Sequence, residues 1–215
     1  MPGCEAHDEL EGRGIRVLYV DDDEPFREPA AEFLEREGER ISVLTESEAA
    51  DAVDRLETDR VDCVVSDDEM PGGDGIELLR TVRDDYPDPP FILLAGKGSE
   101  AVASDAFSAG ATDYVQKERG TDRFTVLANR IGNVVARARA DRQRRRRLEA
   151  IETAQEGIAI LDPDGYFVYA NEAYAELYGY EPGEMVGTHW ERLYPNGETA
   201  LAREEILPTV EREGH

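Results

Sequence analysis

Five short apolar runs alternate with stretches of helical spacing along the first half of the chain. The runs are IRVLYV (15–20), ISVL (41–44), VDCVVS (61–66), PFILLA (90–95) and the shorter TDYV (112–115). Their hydrophobicity is continuous rather than alternating, which suits strands covered on both faces, as in a parallel sheet. Between them, Phe33 and Leu34, Ala49 to Leu56, Ile76 to Val82 and Val102 to Phe107 carry helical spacing. Five β–α repeats of this kind predict a doubly wound α/β domain with a five-stranded parallel sheet.

From Asp122 the pattern becomes one long helix, broken by no proline and by a single glycine, Gly132. Leu127, Ile131, Val134 and Ala138 keep a heptad seam, and Leu148 rejoins it after Asp141 and Arg145. That seam predicts a homodimer paired through the helix. After Gln155 the pattern turns to strands: GIAIL and YFVYA flank Asp162-Pro163-Asp164-Gly165, a tight-turn sequence. NEAYAELYGYEPGEMVG then reads as short helical pieces, with Gly179 and Gly187 as stops. Two strands are marginal as an independent sheet, so this α+β region is expected to be partial.

Composition changes the picture in one respect. The 215 residues carry a formal net charge of −25, with 49 Asp and Glu, and Lys97 and Lys117 as the only lysines. An acid excess with almost no lysine points to a halophile, where salt screens the repulsion. It also argues against nucleic acid and anionic membrane as partners; the basic run RQRRRR (142–147) is read as pairing with local carboxylates or as a solvated face. No apolar run approaches the roughly 20 residues that span a bilayer. MPGCEAHDEL lacks the features of a secretory signal, so the expected location is cytoplasmic. Cys4 and Cys63 form no ligand pattern, and Cys63 reads as a buried structural thiol.

The candidate chemistry lies at the strand ends. In a doubly wound sheet the site lies beyond the carboxyl ends of the strands. Asp21, Asp22 and Asp23 follow the first run, and Asp67, Asp68 and Glu69 follow the third. Acids are abundant in this chain, so position carries the argument rather than identity. Carboxylates gathered there repel one another unless a hard divalent cation such as Mg²⁺ sits among them. Lys117 follows the fifth run and can reach the same end of the sheet. A point cation beside carboxylates and a metal is what a transferring phosphoryl group needs.

VLYVDDDEP, VVSDDEMPGGDGIELL, FILLAGKGSE and ATDYVQKE, in that order, resemble the receiver domain of two-component response regulators, a flavodoxin-like fold. The resemblance implies that Asp21 and Asp22 hold Mg²⁺, that Asp67 accepts the phosphoryl group and is also a metal ligand, and that Lys117 is the family's lysine. It further implies a metal contact from the backbone carbonyl of Glu69, and a switch role for Tyr114. A sensor histidine kinase is the implied phosphodonor. One position departs: the family usually has Thr or Ser where this chain has Ala95. Ser99 offers another hydroxyl, but it precedes Glu100 and a helical run and suits a helix N-cap.

The second region, GIAILDPDGYFVYANEAYAELYGYEPGEMVG, resembles the first half of a PAS domain, with Asn171, Gly179, Tyr180, Glu184 and Gly187 matching its pattern. The three histidines, His7, His189 and His215, do not form a kinase phosphoacceptor pattern, and His189 beside Trp190 reads as packing or surface. The expected organisation is a tail (1–13), a receiver (14–130), a linker helix (131–152) and a partial PAS domain (153–215). The expected function is a phosphoacceptor signalling protein rather than an enzyme. Two other readings fit the same residues. One is a pseudo-receiver dimerisation scaffold, motivated by Ala95. The other is a Mg²⁺-dependent aspartyl phosphatase, motivated by the Asp21-x-Asp23 spacing but opposed by Glu24.

Overall fold

The computed structural model describes residues 14–37, 40–70, 74–96, 100–117 and 122–194. Cys4, His7, Lys97, Ser99 and His215, and with them the N-cap reading of Ser99, lie outside the described residues, as does the chain from 195 onward. The elements run β1 (Ile15–Val20), α1 (Glu24–Glu37), β2 (Ile41–Glu46), α2 (Ala49–Thr58), β3 (Cys63–Asp67), α3 (Gly75–Asp85), β4 (Phe91–Ala95), α4 (Glu100–Ser108) and β5 (Asp113–Gln116). Then come α5 (Asp122–Glu152), β6 (Ala159–Leu161), β7 (Phe167–Ala170), α6 (Glu172–Tyr178), α7 (Pro182–Met185) and a 3₁₀ turn at Trp190–Leu193.

The five strands form a parallel sheet in the order β2-β1-β3-β4-β5, the flavodoxin-like arrangement. Alternation along each strand feeds two cores. Val17, Tyr19, Cys63, Val65, Ile92 and Leu94 pack with Ala30 and Leu34 of α1 and with Phe124, Leu127, Ile131 and Val135 of α5. Leu18, Val20, Val64, Phe91 and Leu93 pack on the other face with Ala52 and Leu56 of α2, Leu78, Leu79 and Val82 of α3, and Ala106 of α4. Both faces are covered, which is why the runs read as continuously apolar. Cys63 is free and buried, and burial pushes its thiol pKa well above the ordinary value.

The packing corrects the expected seam. Leu127 and Ile131 are buried in the domain's own core, and Val134 packs against it, so they do not face a second chain. A stripe at helical spacing serves either purpose equally well; here the sheet claims it. Farther along, Arg139 donates to the Gly14 carbonyl at 2.9 Å and to the buried Asp62 carboxylate at 3.2 Å. Asp62 also accepts from the Arg16 backbone N–H at 3.0 Å and from Arg60 at 2.5 Å. These contacts tie α5 to the amino-terminal edge of the sheet.

Contacts divide the chain into two compact units, Met1–Asp141 and Arg142–His215. In the second unit β6 and β7 pair antiparallel. Asp162 Oδ1 accepts from the N–H groups of Asp164 and Tyr166 and sets the turn between them. A small core of Phe167, Ala170, Ala175, Met185 and Trp190 lies beneath. The fully buried Asn171 organises this unit. Its Oδ1 accepts from Tyr174 N at 3.0 Å and Ile158 N at 2.8 Å, and its Nδ2 donates to the carbonyls of Ile151 and Glu156, both at 3.0 Å. Gly179 closes α6 in the left-handed region, at φ 74°. His189 caps the 3₁₀ turn by accepting from Glu191 N at 3.3 Å, and its ring meets Tyr166 edge-on, a packing role. Among the described residues, no helix is long and apolar enough to cross a membrane.

The first turn of α3 constrains the end of β3. A Cβ on Gly75 would stand 2.0 Å from the Asp67 carbonyl oxygen and 2.7 Å from Leu93 Cδ1. Gly75→Ala is therefore expected to cost about 2–3 kcal/mol, read as a lower urea midpoint at unchanged m-value. An unshifted midpoint would show that the helix backs away from the strand at no cost.

Candidate functional site

Hydrogen bonding sets where each strand ends and therefore where each side chain emerges. Asp21 N donates to the Glu46 carbonyl at 3.1 Å, carrying the β1–β2 ladder one residue past β1. The Asp68 N–H donates to Leu94 O at 2.8 Å and fixes the exit of β3. The Lys117 N–H donates to Ala95 O at 2.7 Å, holding Lys117 at the end of β5 beside the end of β4. Parallel strands end on the same side, so these three exits converge on the carboxyl edge.

The convergence is tight. Carboxylate oxygens of Asp21, Asp22 and Asp67 lie within 4.8 Å of one another. Lys117 Nζ donates to Asp21 Oδ2 at 3.0 Å and pairs with Asp67 Oδ2 at 2.7 Å. Asp21 Oδ1 accepts from the Asp23 N–H at 3.0 Å, and Asp67 Oδ1 from the Asp68 N–H at 2.9 Å. Arg27 of α1 donates to the Asp21 carbonyl at 2.6 Å. Asp21 is fully buried and Asp67 is 7% exposed, whereas Asp22 is open to solvent.

Burial pushes the carboxyls of Asp21 and Asp67 above the ordinary range, against the lowering effect of their bonds to Lys117. Burial also works to lower the Lys117 ammonium, but its bonds to Asp67 and Asp21 outweigh this and hold its pKa high. Two partly desolvated carboxylates with an exposed third form an all-oxygen donor set of the kind a hard divalent cation takes. The donor set thus fits Mg²⁺. Glu69 follows two residues after Asp67 and is exposed. Asp23, needed by the phosphatase reading, is not among the three gathered carboxylates.

The other expected residues sit around this centre. Ala95 is fully buried at the end of β4, in register with Gln116. Tyr114 is half-buried on β5, opposite Leu93, and its hydroxyl is buried without a hydrogen-bond partner. Burial raises that hydroxyl's pKa, with Asp68 adding to the effect. Sequence reasoning passed over Tyr19, Phe26 and Arg123. Lys117 Nζ lies 4.7 Å from the centre of the Phe26 ring, and Arg123 lies 4.3 Å from the same ring. The Tyr19 hydroxyl is buried below them without a hydrogen-bond partner, and burial, then Asp21 and Asp67, drive its pKa far up. The aromatic ring of Tyr19 within the run IRVLYV is a visible signal in the sequence; nothing in the pattern marks Phe26.

The family model described as "Response regulator receiver domain" matches residues 17–129, and that described as "PAS fold" matches residues 151–212. The chain is 29% identical over 191 residues to the bacterioopsin transcriptional activator of Halobacterium salinarum, which covers 81% of this chain and 28% of that protein. It is 33% identical over 145 residues to a C4-dicarboxylate transport transcriptional regulatory protein of Rhizobium meliloti, covering 67% of this chain and 30% of the relative. The chain therefore spans less than a third of the length of either. Among solved structures, a response regulator receiver domain protein from Clostridium thermocellum matches with TM-score 0.53 at 26% identity, over 59% of this chain and 98% of that one. A CheY-like receiver from Methanospirillum hungatei matches in fold, with TM-score 0.54 at 23% identity, over 60% of this chain and 98% of that one.

The Lys117 ammonium bonds to both Asp21 and Asp67. Its removal by Lys117→Met is expected to cost about 3 kcal/mol at pH 7 in the presence of a chelator, read from urea unfolding. The loss should narrow as pH falls. Carboxyls whose folded pKa is raised bind protons more tightly folded than unfolded, so acid neutralises the repulsion and favours the folded variant. A loss that stays constant or grows down to pH 5 would contradict this account of the ion cluster.

Proposed function

This chain belongs to the response regulator receiver family, its receiver followed by a PAS fold, and from that membership we propose that it is the phosphoacceptor of a two-component relay, phosphorylated on Asp67. The observation that carries the reading is the Lys117 ammonium bridging Asp21 and Asp67, at 3.0 and 2.7 Å, on the carboxyl edge of the sheet. An Asp67 carboxylate oxygen attacks the phosphorus of a phosphohistidine on a sensor histidine kinase. The O–P bond forms as the N–P bond breaks, and the imidazole leaves with the electron pair and takes up a proton. Lys117 pairs with the phosphoryl oxygens, whose charge grows more exposed during transfer. Asp21, Asp22, Asp67 and the backbone carbonyl of Glu69 would hold Mg²⁺, which when bound neutralises phosphoryl charge. The histidine comes from the partner, so this chain acts as acceptor and not as kinase.

The output runs from the receiver through α5 to the PAS region, in the cytoplasm of a halophile. Pairing of two chains would use α5 beyond Val135, where Leu148 is exposed. Both named relatives are transcriptional regulators by name, so the acidity of this segment does not speak for the partners of a longer assembly. Incubation with Mg²⁺ and a small acyl phosphate should add one phosphoryl group, and Asp67→Asn should abolish it, read by intact mass. A phosphoryl group that persists on Asp67→Asn would overturn the assignment.

Ala95 favours a second reading, the pseudo-receiver scaffold, because a buried methyl stands where the family's hydroxyl meets the phosphoryl group. A hydrogen bond to a charged oxygen contributes about 1.5–3 kcal/mol. A full swing between 1:99 and 99:1 takes about 5.5 kcal/mol. Loss of the hydroxyl therefore weakens the switch without removing the nucleophile. Ala95→Thr is expected to enlarge the beryllofluoride-induced change in hydrogen exchange across residues 95–130, including Tyr114. Equal, complete responses in both proteins would show that the methyl costs nothing, and failure of the wild type to bind Mg²⁺ would favour the scaffold.

A further inference from the structure

Phe26 lies on the first turn of α1, half-buried, with a cation on each of two neighbouring elements. The Lys117 ammonium is 4.7 Å from its ring centre and the Arg123 guanidinium 4.3 Å. Arg123 is also 4.5 Å from the ring of Phe124, which in turn lies 5.8 Å from Phe26, centre to centre. An aromatic face attracts a cation through its quadrupole, and the attraction strengthens when water is excluded. Lys117 has a side chain only 16% exposed, so the ring acts on a partly desolvated charge. The ammonium thus meets the carboxylates of Asp21 and Asp67 and the face of the Phe26 ring.

We propose that Phe26 is a positioning residue for Lys117, and that by sharing its ring with Arg123 it couples the ammonium to the first turn of α5. Three features carry this. A lysine has a long flexible stem, and ordering it costs rotamer entropy that a fixed ring face reduces. One ring serves two cations, so a displacement of one changes what the ring offers the other. Beneath them, bounded by Tyr19, Phe26, Lys117, Arg123 and Leu127, lies a cavity of about 20 Å³, room for a single water. The ring therefore borders unfilled space rather than being packed on every side. This link reaches α5 from the α1 side of the sheet and bypasses Ala95. It rests on the reading of Asp67 as phosphoacceptor.

The test compares Phe26→Leu, which keeps an apolar side chain without the π face, with Phe26→Trp, which keeps the face, and with Arg123→Gln. With Mg²⁺ and a small acyl phosphate, Phe26→Leu should be phosphorylated about five- to tenfold more slowly than wild type, and Phe26→Trp within about twofold. The beryllofluoride-induced change in hydrogen exchange at residues 123–131 should shrink in Phe26→Leu and Arg123→Gln. In the resting protein, without donor, the Lys117 ε-methylene protons should lose their upfield ring-current shift in Phe26→Leu and keep it in Phe26→Trp. Wild-type rates in Phe26→Leu, or equal losses in the leucine and tryptophan variants, would overturn the proposal. Failure of the wild type to be phosphorylated would instead sink the phosphoacceptor reading. The resting Lys117 shift then decides the positioning contact by itself: its persistence in Phe26→Leu refutes the contact and its loss supports it.

Discussion

The receiver is organised around one electrostatic conflict, two buried carboxylates held at the same sheet edge. Asp21 and Asp67 have oxygens within 4.8 Å of each other. At an effective dielectric near 20, their repulsion is about 3 kcal/mol. The fold does not relieve it by distance, because adjacent parallel strands place both side chains at the same edge. It relieves it by charge, with one ammonium bonded to both and one backbone N–H bonded to each remaining oxygen. Burial of the two groups, more than their mutual repulsion, holds both carboxyl pKa values above the ordinary range. An all-oxygen site in that condition suits a hard divalent cation.

The sheet supplies the rigidity this requires. Every strand that bears a site residue is paired on both sides except β5, which carries Lys117 at its end and pairs with β4 alone. The edge position of β5 leaves Lys117 with a longer, less braced approach than the two aspartates have. Support comes instead from its backbone bond to Ala95 and from the side chains of α1 and α5 around it. The strand that leads into α5 is thus also the one braced on a single side.

In the second unit a single neutral side chain plays an organising part comparable to that of the ion cluster. Asn171 fills four hydrogen-bonding roles at once and joins the close of α5, the lead into β6 and the start of α6. A buried amide so fully satisfied avoids the penalty that an unpaired polar group would bring. Its four bonds require those segments to be in place together, so the short β6–β7 ribbon does not depend on its own ladder alone.

Much of this was legible in the residues themselves. Continuous apolar runs required a sheet covered on both faces, and five of them alternating with helical spacing required a doubly wound topology. Asp21, Asp22 and Asp67 stood directly after such runs, and Lys117, one of two lysines in the chain, stood after the last. Local periodicity carries that information because burial imposes it residue by residue. It does not say which surface does the burying. Leu127 and Ile131 have a spacing that serves a coiled coil or a sheet equally well, and only the packed structure gave them to the sheet. Nor does spacing say which side chains meet across a site. Phe26 beneath Lys117, Arg139 against Asp62 and the four partners of Asn171 join residues far apart in the chain, and those meetings are decided by tertiary packing, where contact depends on position in space and not on order along the backbone.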